Sequence, residues 1–221
     1  MFKESATLDF HYNKIDEAAL AFFRSIVGDE FVLTTGEHYE KYAKDETENL
    51  RFYPEAVAKP NTTAQVSALV RYCNEHKIPV YPRAAGTGLS ANSLAIYGGL
   101  MITIERLNKI IEIDENNLQV TTEPGVITEL LQNTVKEKGL FYPPDPSSRG
   151  TSFIGGNISC NSGGPRAVKY GVVKDYVLNL EVVLPNGEVM WTGANVLKNS
   201  TGYNFTHLFV GSEGTLGIVT K

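Results

Sequence analysis

The apolar positions along this chain switch repeatedly between helical and strand spacing. Ala18, Ala19, Phe22, Phe23 and Ile26 share one helical face and predict a helix over 16–27. Asp16 stands where an N-cap belongs, and Gly28 where such a helix stops. Residues 37–50 are polar and predict a surface helix and loop. Ala56-Val57-Ala58 reads as a short buried strand. Thr62-x-x-Gln65 is a capping-box pattern. It opens a helix with Val66, Leu69, Val70 and Cys73 at i, i+3, i+4 and i+7, which places Cys73 in the core. Ile78 to Tyr81 is the next strand. Strand, helix and strand in this order predict a parallel βαβ unit.

Leu100 to Ile104, Ile110 to Ile113 and Leu118 to Thr122 predict three more strands, the last two joined as a hairpin by Asp114-Glu115-Asn116-Asn117. Glu123-Pro124-Gly125 ends the last of them. Thr128 to Lys138 predicts a helix with Leu130, Leu131, Thr134 and Val135 inward, stopped by Gly139. From residue 140 the pattern changes. Tyr142-Pro143-Pro144-Asp145-Pro146-Ser147-Ser148 is rigid and extended, because its prolines fix φ and remove donors. Val177 to Leu184 and Glu188 to Thr192 flank Pro185-Asn186-Gly187, a strong hairpin signal. Trp191 in this hairpin reads as core or lobe interface. Leu216 to Thr220 is a final strand. The chain stops at Lys221 directly after it, so a piece of a longer protein is expected. No internal repeat or low-complexity linker divides the chain. The expected division is a helical lead-in (1–50), a first lobe (51–138) and a second lobe (139–221), with a ligand cleft between the lobes.

The 221 residues, 42% hydrophobic and 20% charged, fit a globular protein with a real core. A net charge of −5 argues against general affinity for nucleic acid. Cys73 and Cys160 lie far apart, so a disulfide framework is not expected and the chain reads as cytosolic. No clustered ligands point to zinc or iron–sulfur, and His11, His38, His76 and His207 are scattered. No apolar run is long enough to span a bilayer, and Met1-Phe2-Lys3-Glu4-Ser5 lacks the core of a signal peptide. No G-x-S-x-G elbow supports Ser-His-Asp catalysis.

Three segments rich in small residues carry the candidate chemistry. In Pro82-Arg83-Ala84-Ala85-Gly86-Thr87-Gly88-Leu89-Ser90, the backbone N–H groups from Ala84 to Leu89 can curl around a diphosphate, supported by the Thr87 and Ser90 hydroxyls. An ordinary glycine-rich turn is the other reading, and the loop is neither G-x-G-x-x-G nor a P-loop. Arg83 can pair with phosphate or bridge to a carboxylate. In Gly155-Gly156-Asn157-Ile158-Ser159-Cys160-Asn161-Ser162-Gly163-Gly164, glycines permit close approach while Asn157, Ser159 and Asn161 offer donors and acceptors for a flat heteroaromatic ring. The alternative is a helix start packed tightly on a neighbour. Pro143 to Pro146 supplies a stiff wall for that ring, or an inter-lobe linker. Gly211-Ser212-Glu213-Gly214 is a turn that sets Ile218 against an apolar ring such as adenine, or simply precedes a strand. Lys198 faces a ligand or solvent.

Taken in order, Arg83-x-x-Gly86-Thr87-Gly88-Leu89-Ser90, Pro144-Asp145-Pro146-Ser147-Ser148, Gly155-Gly156-Asn157, Asn161-x-Gly163-Gly164-Pro165-Arg166, Lys169-Tyr170-Gly171, Lys198-x-x-x-Gly202-Tyr203-Asn204 and Gly211 to Gly217 closely resemble one superfamily. It is the FAD-binding domain of vanillyl-alcohol-oxidase / p-cresol-methylhydroxylase flavoproteins, most like its glycolate oxidase D-subunit and D-lactate dehydrogenase branch. The resemblance covers roughly residues 40–221. It implies a two-lobed α+β flavin domain, with a small mainly parallel sheet, a larger mixed or antiparallel sheet, and the FAD cleft between them.

The resemblance also implies that Arg83, Ala84, Ala85, Gly86, Thr87, Gly88, Leu89 and Ser90 hold the FAD diphosphate. Pro144, Asp145 and Ser147, then Ser152, Gly155, Gly156, Asn157, Ser159, Asn161, Gly163 and Gly164, would line the flavin side. Glu213, Gly214 and Gly217 would be cofactor-binding, Ile218 would pack near the adenine end, and Pro124 and Gly125 would lie beside the cofactor. Relatives usually carry Gly at the place of Ala84 and Gly-Gly at Ala91-Asn92. A methyl at Ala84 crowds the diphosphate if that residue needs positive φ. No His occurs in the first loop, so FAD is expected to be noncovalent. In this family a cap domain after the Ile218 strand carries the substrate groups and metal-binding histidines, so no catalytic or metal-binding residue is assigned within this chain. The implied activity is oxidation of a 2-hydroxy acid by hydride transfer to flavin, with electrons passing to a quinone, an iron–sulfur partner or another acceptor. The implied location is cytoplasmic, or peripheral to the inner face of a membrane. The alternative reading is a non-catalytic FAD-binding accessory or degenerate assembly subunit.

Overall fold

Helix α1 (Glu17–Val27) opens the part of the chain described by a computed structural model, which covers residues 11–36 and 39–221. The expectations for Met1–Ser5, His38 and the start of the 37–50 segment lie outside these residues. Asp16 caps α1 by accepting the Ala19 N–H, and Gly28 ends it. Strand β1 (Val32–Leu33) follows, then a short 3₁₀ turn at Glu40–Ala43 whose Tyr42 and Ala43 are buried. The polar 37–50 stretch therefore anchors to the core at its centre rather than lying wholly on the surface.

Strand β2 (Ala56–Ala58), helix α2 (Thr63–Glu75) and strand β3 (Val80–Arg83) form the expected parallel crossover. Thr62 accepts the Gln65 N–H at the start of α2, and Val66, Leu69, Val70 and Cys73 are its buried stripe. Strand β4 (Leu100–Thr103) inserts between its predecessors, so the sheet order is β1-β2-β4-β3. Strands β2 and β3 both pair parallel with β4, and β1 closes the edge antiparallel. Strand β3 begins two residues later than its sequence predicts and runs through Arg83, which pairs with Thr103. The residue that opens the glycine loop is thus fixed to the sheet.

Strands β5 (Ile110–Asp114) and β6 (Gln119–Thr122) form the predicted hairpin, with Asp114 accepting the N–H groups of Asn116 and Asn117. In helix α3 (Thr128–Glu137) the buried residues are Thr128, Leu131 and Val135. Leu130, expected inward, is 51% exposed. The inward stripe runs i, i+3, i+7 from Thr128, which turns Leu130 to the opposite face. Helices α4 (Ile154–Ser159) and α5 (Ala167–Tyr170) follow. Strands β7 (Glu181–Val183) and β8 (Val189–Trp191), helix α6 (Phe205–Phe209) and strand β9 (Ile218–Val219) complete the chain. The sheet order β8-β7-β9 is antiparallel throughout. Trp191 is half-exposed on β8 rather than in the core.

Two large apolar cores result, with a smaller cluster of Tyr39, Tyr42, Val57, Ala95 and Met101 beside them. The first joins α1, α2 and the four-stranded sheet, and takes Val183 and Ile218 from the last sheet. The second gathers Leu131 and Val135 of α3, Ile154 and Ile158 of α4, and Val182 and Val219, with Ile110, Ile113 and Val120 packed against it. The hairpin β5–β6 and α3 therefore share a core with strands β7 and β9. The architecture is α+β, with a mainly parallel sheet and separate antiparallel sheets.

Candidate cofactor cleft

The loop after β3 leaves the carboxyl end of a parallel strand, where open α/β sheets bind ligands. It faces α4 across a cleft of about 80 Å³. Arg83, Ala84, Gly86 and Gly88 line one wall. Gly155, Gly156 and Ser159 of α4 line the second, and Glu213, Gly214, Gly217 and Ile218 the third. Three segments far apart in sequence thus meet at one place. The third wall is pinned to the second by backbone bonds from Gly211 N to Ile158 O (3.0 Å) and Glu213 N to Ser159 O (2.9 Å).

The walls touch at Gly156 and Ala84. A Cβ at Gly156 would sit 2.9 Å from the Ala84 methyl. Ala84 is not among the residues with positive φ, whereas Ala91 is, at +56°. The condition under which the Ala84 methyl would crowd an anion is therefore not met. That methyl packs toward α4, and the strained alanine is Ala91, at the far end of the loop.

None of the backbone N–H groups from Ala84 to Ser90 donates a hydrogen bond to another described residue. A run of unengaged N–H groups beside a glycine-lined wall suits an oxyanion, which accepts several donors at once. Among the described residues that line the cleft, Arg83 is the sole cation. Its guanidinium turns away from the anion path: Nη2 donates to the carbonyls of Lys41 (3.0 Å) and Lys44 (2.7 Å). Burial pulls its pKa down, while Asp45, Tyr42 and Glu105 oppose that shift. Among the described residues Arg83 thus bonds main-chain carbonyls and the Ser93 hydroxyl rather than a carboxylate. It lies over the Tyr42 ring and against Gly86, where a Cβ would come 2.0 Å from Nη2.

Other expected site residues stand behind the cleft. Asn157 and Ser152 are buried and joined through the Thr128 hydroxyl. Asn161 accepts the Lys174 N–H at 2.9 Å. Asp145, buried, draws Arg149 and Arg166, each at 3.3 Å, and Pro144 O accepts from Gln132 at 2.7 Å. Gly164 packs against the Asp145 carbonyl, and Gly163 lies beside Ala167. Pro124 O receives the Gly155 N–H at 2.7 Å and so braces the base of α4, while Gly125 N–H bonds Leu107 O at 2.6 Å and ties to the turn after β4. Ala85 lines a second cavity of about 320 Å³ on the loop's other side. Thr87, Leu89, Ser90 and Ser147 line neither cavity, and Leu89 is 76% exposed. Lys198 is solvent-exposed and away from the cleft.

Sequence reasoning missed Asn92, Ser93, Ile104, Cys160 and Val219 in the cleft. Ile104 and Val219 reach it from strand ends and carry no local signal. Asn92 and Cys160 face each other across it, Nδ2 to Sγ 3.6 Å. Burial raises the Cys160 pKa, with Glu213 adding to and Asn92 opposing the shift. A separate apolar cavity of about 230 Å³ lies on the opposite face of α4, lined by Ile154 and Ile158, and includes none of the three glycine-rich walls.

Residues 54–193 match a family of FAD binding domains. The chain is 51% identical over 180 residues to glycolate oxidase subunit GlcD of Bacillus subtilis (strain 168), covering 81% of this chain and 38% of that protein. It is 41% identical over 217 residues to a D-lactate dehydrogenase of Anaerostipes hadrus, covering 96% of this chain and 45% of that protein. The chain thus spans less than half the length of these curated relatives. The solved structure of p-cresol methylhydroxylase with substrate bound superposes with a TM-score of 0.69 at 26% identity, over 92% of this chain and 41% of that one.

Proposed function

The chain belongs to the FAD binding domain family, and on that premise we propose that it is the FAD-holding part of a flavin-dependent oxidoreductase acting on a 2-hydroxy acid of the glycolate or D-lactate type. The observation that carries the reading is the Ala84–Ser90 loop, whose N–H groups lack partners among the described residues and whose Ala84, Gly86 and Gly88 line a cleft with two further glycine-rich walls. Those N–H groups hold the diphosphate by backbone donation, since the local cation is turned toward carbonyls. Gly214, Gly217 and Ile218 seat the adenine end. Gly155, Gly156 and Ser159 border the path toward the flavin, with the Pro144–Ser148 wall held in place through Asp145, Arg149 and Arg166. Pro124 supports α4, and Gly125 ties to the turn after β4.

When bound, the flavin supplies the redox chemistry by accepting a hydride from the substrate carbon. The residues of this chain bind and orient it and exclude water from the diphosphate. We assign no catalytic side chain or metal ligand here; in the whole protein the substrate groups lie elsewhere, and a quinone or iron–sulfur partner takes the electrons. The two-lobed division and a cytoplasmic seat belong to the same proposal. No helix among the described residues is long and apolar enough to cross a membrane.

The test is the absorbance spectrum of the purified chain with and without added FAD, read after gel filtration and alongside a thermal-shift titration. Flavin bands that co-elute, or a saturable rise in melting temperature, support the reading. Flavin bound without oxidation of glycolate or D-lactate by the full-length protein would favour the accessory-subunit alternative. Neither bands nor shift with the full-length protein would overturn the cofactor assignment.

A further inference from the structure

A loop that keeps its N–H groups free for a ligand cannot use them to fix its own shape. Its geometry must be set through its carbonyls, its side chains and its ends. In this chain all three kinds of anchor lead to one short segment, residues 41–47, which precedes the residues matched to the family and does not line the cleft.

At the loop's start, Arg83 reaches the carbonyls of Lys41 and Lys44. In its middle, Gly88 O accepts the Glu46 N–H at 3.1 Å. At its far end, Ala91 N–H donates to Thr47 Oγ1 at 2.8 Å. Asp45 organises the segment by accepting the Thr47 N–H at 2.9 Å. Ala91 adopts φ +56°, a conformation that an L-residue holds only when its surroundings impose it. The Thr47 hydroxyl is the acceptor that receives its N–H.

We propose that residues 41–47 are a strap that positions the cofactor loop, and that Thr47 is its positioning residue, latching Ala91. The strap lines the cavity on the loop's other side rather than the glycine-walled cleft. It raises the fraction of time the loop spends in its binding shape, and apparent affinity scales with that fraction. This rests on the assignment of FAD to the cleft.

Thr47→Val keeps the side chain's outline and removes the acceptor. Association with FAD, followed by stopped-flow fluorescence quenching, is expected to slow about fivefold, the factor for one ordinary hydrogen bond. Dissociation should stay at the wild-type rate, and Thr47→Ser should restore association. A merely structural loss would lower the melting temperature of the free protein without this split between rates. Unchanged association in Thr47→Val overturns the strap, and so does a loss confined to dissociation, which would place Thr47 in contact with the ligand. If the full-length wild-type protein binds no FAD, the cofactor assignment fails instead. Hydrogen exchange of the Ala91 amide then decides the strap: protection in wild type that disappears in Thr47→Val supports it, and equal exchange in both overturns it.

Discussion

Gly156→Ala offers a direct test of how closely the cofactor loop and α4 approach. The new Cβ would lie 2.9 Å from the Ala84 Cβ, whereas nonbonded carbons rest about 3.5–4.0 Å apart. Neither methyl can rotate away, so the loop and the helix must separate by roughly 0.6–1.1 Å, a difference between that contact and the observed distance. Overpacking of this kind costs about 1–3 kcal/mol. Alanine in a helix returns up to about 1 kcal/mol relative to glycine, which leaves a net loss of about 1 kcal/mol at the middle of the range. For a chain of this size the melting temperature should fall by about 2–4 °C. Ala84→Gly alone should also destabilise slightly, by about 0.5–1 kcal/mol, through added chain freedom. Together the two changes remove the clash, so the double variant should be more stable than the sum of the singles by about 1–3 kcal/mol. Thermal denaturation of all four proteins closes the cycle. Strict additivity, or a higher melting temperature in Gly156→Ala, would show that the walls do not meet as described.

Three further outcomes follow from other parts of the molecule. Ala91→Gly relieves a left-handed alanine worth about 1–2 kcal/mol, against about 0.4–1 kcal/mol of added freedom in the unfolded chain; a melting temperature higher by about 1–2 °C is expected, and a fall would contradict the φ of +56°. Native alkylation should modify Cys160 and spare Cys73, whose thiol burial pushes up to about 12; mass spectrometry should find one adduct before denaturation and two after it. Burial works against the charge of Glu105 and Glu181, yet their partners outweigh it: chiefly Lys59, with Lys41 and Tyr42, for Glu105, and Thr63, Lys221 and Thr220 for Glu181. Their folded pKa values lie below the unfolded ones, so their contribution is complete above about pH 4.3 and disappears as pH falls through the folded values. A melting temperature that declines already between pH 7 and pH 5 would need another titrating group.

Much of this architecture was legible along the chain, for local reasons. Helix α1 and helix α2 have both an apolar stripe and a side-chain cap, two signals that agree. The Asn186-Gly187 turn and the Asp114–Asn117 turn carry their own hydrogen bonds, so their hairpins can be read without the rest of the fold. The inward face of α3 was harder, because Leu130 and Leu131 are adjacent and only packing against the second core chooses between them. The insertion of β4 between β2 and β3 was invisible, since strand order is a long-range property. So were the direction of the Arg83 guanidinium and the strap behind its loop: the first depends on carbonyls some 40 residues earlier, which have no sequence signature, and the second on contacts equally remote in sequence.

What the sequence determined by itself was the kind of chemistry: three runs of small and polar residues where backbone can approach a ligand, in an order that resembles one flavoprotein family. Composition and spacing suffice for that, because a small side chain acts through its own lack of bulk wherever it lies. Only the tertiary structure decided which of those residues share a wall and which stand behind it. Asn157, Asp145 and Asn161 are polar like Ser159, but each is engaged by a partner outside the cleft lining. A polar side chain declares its role through the group it meets, and that group is chosen by the fold.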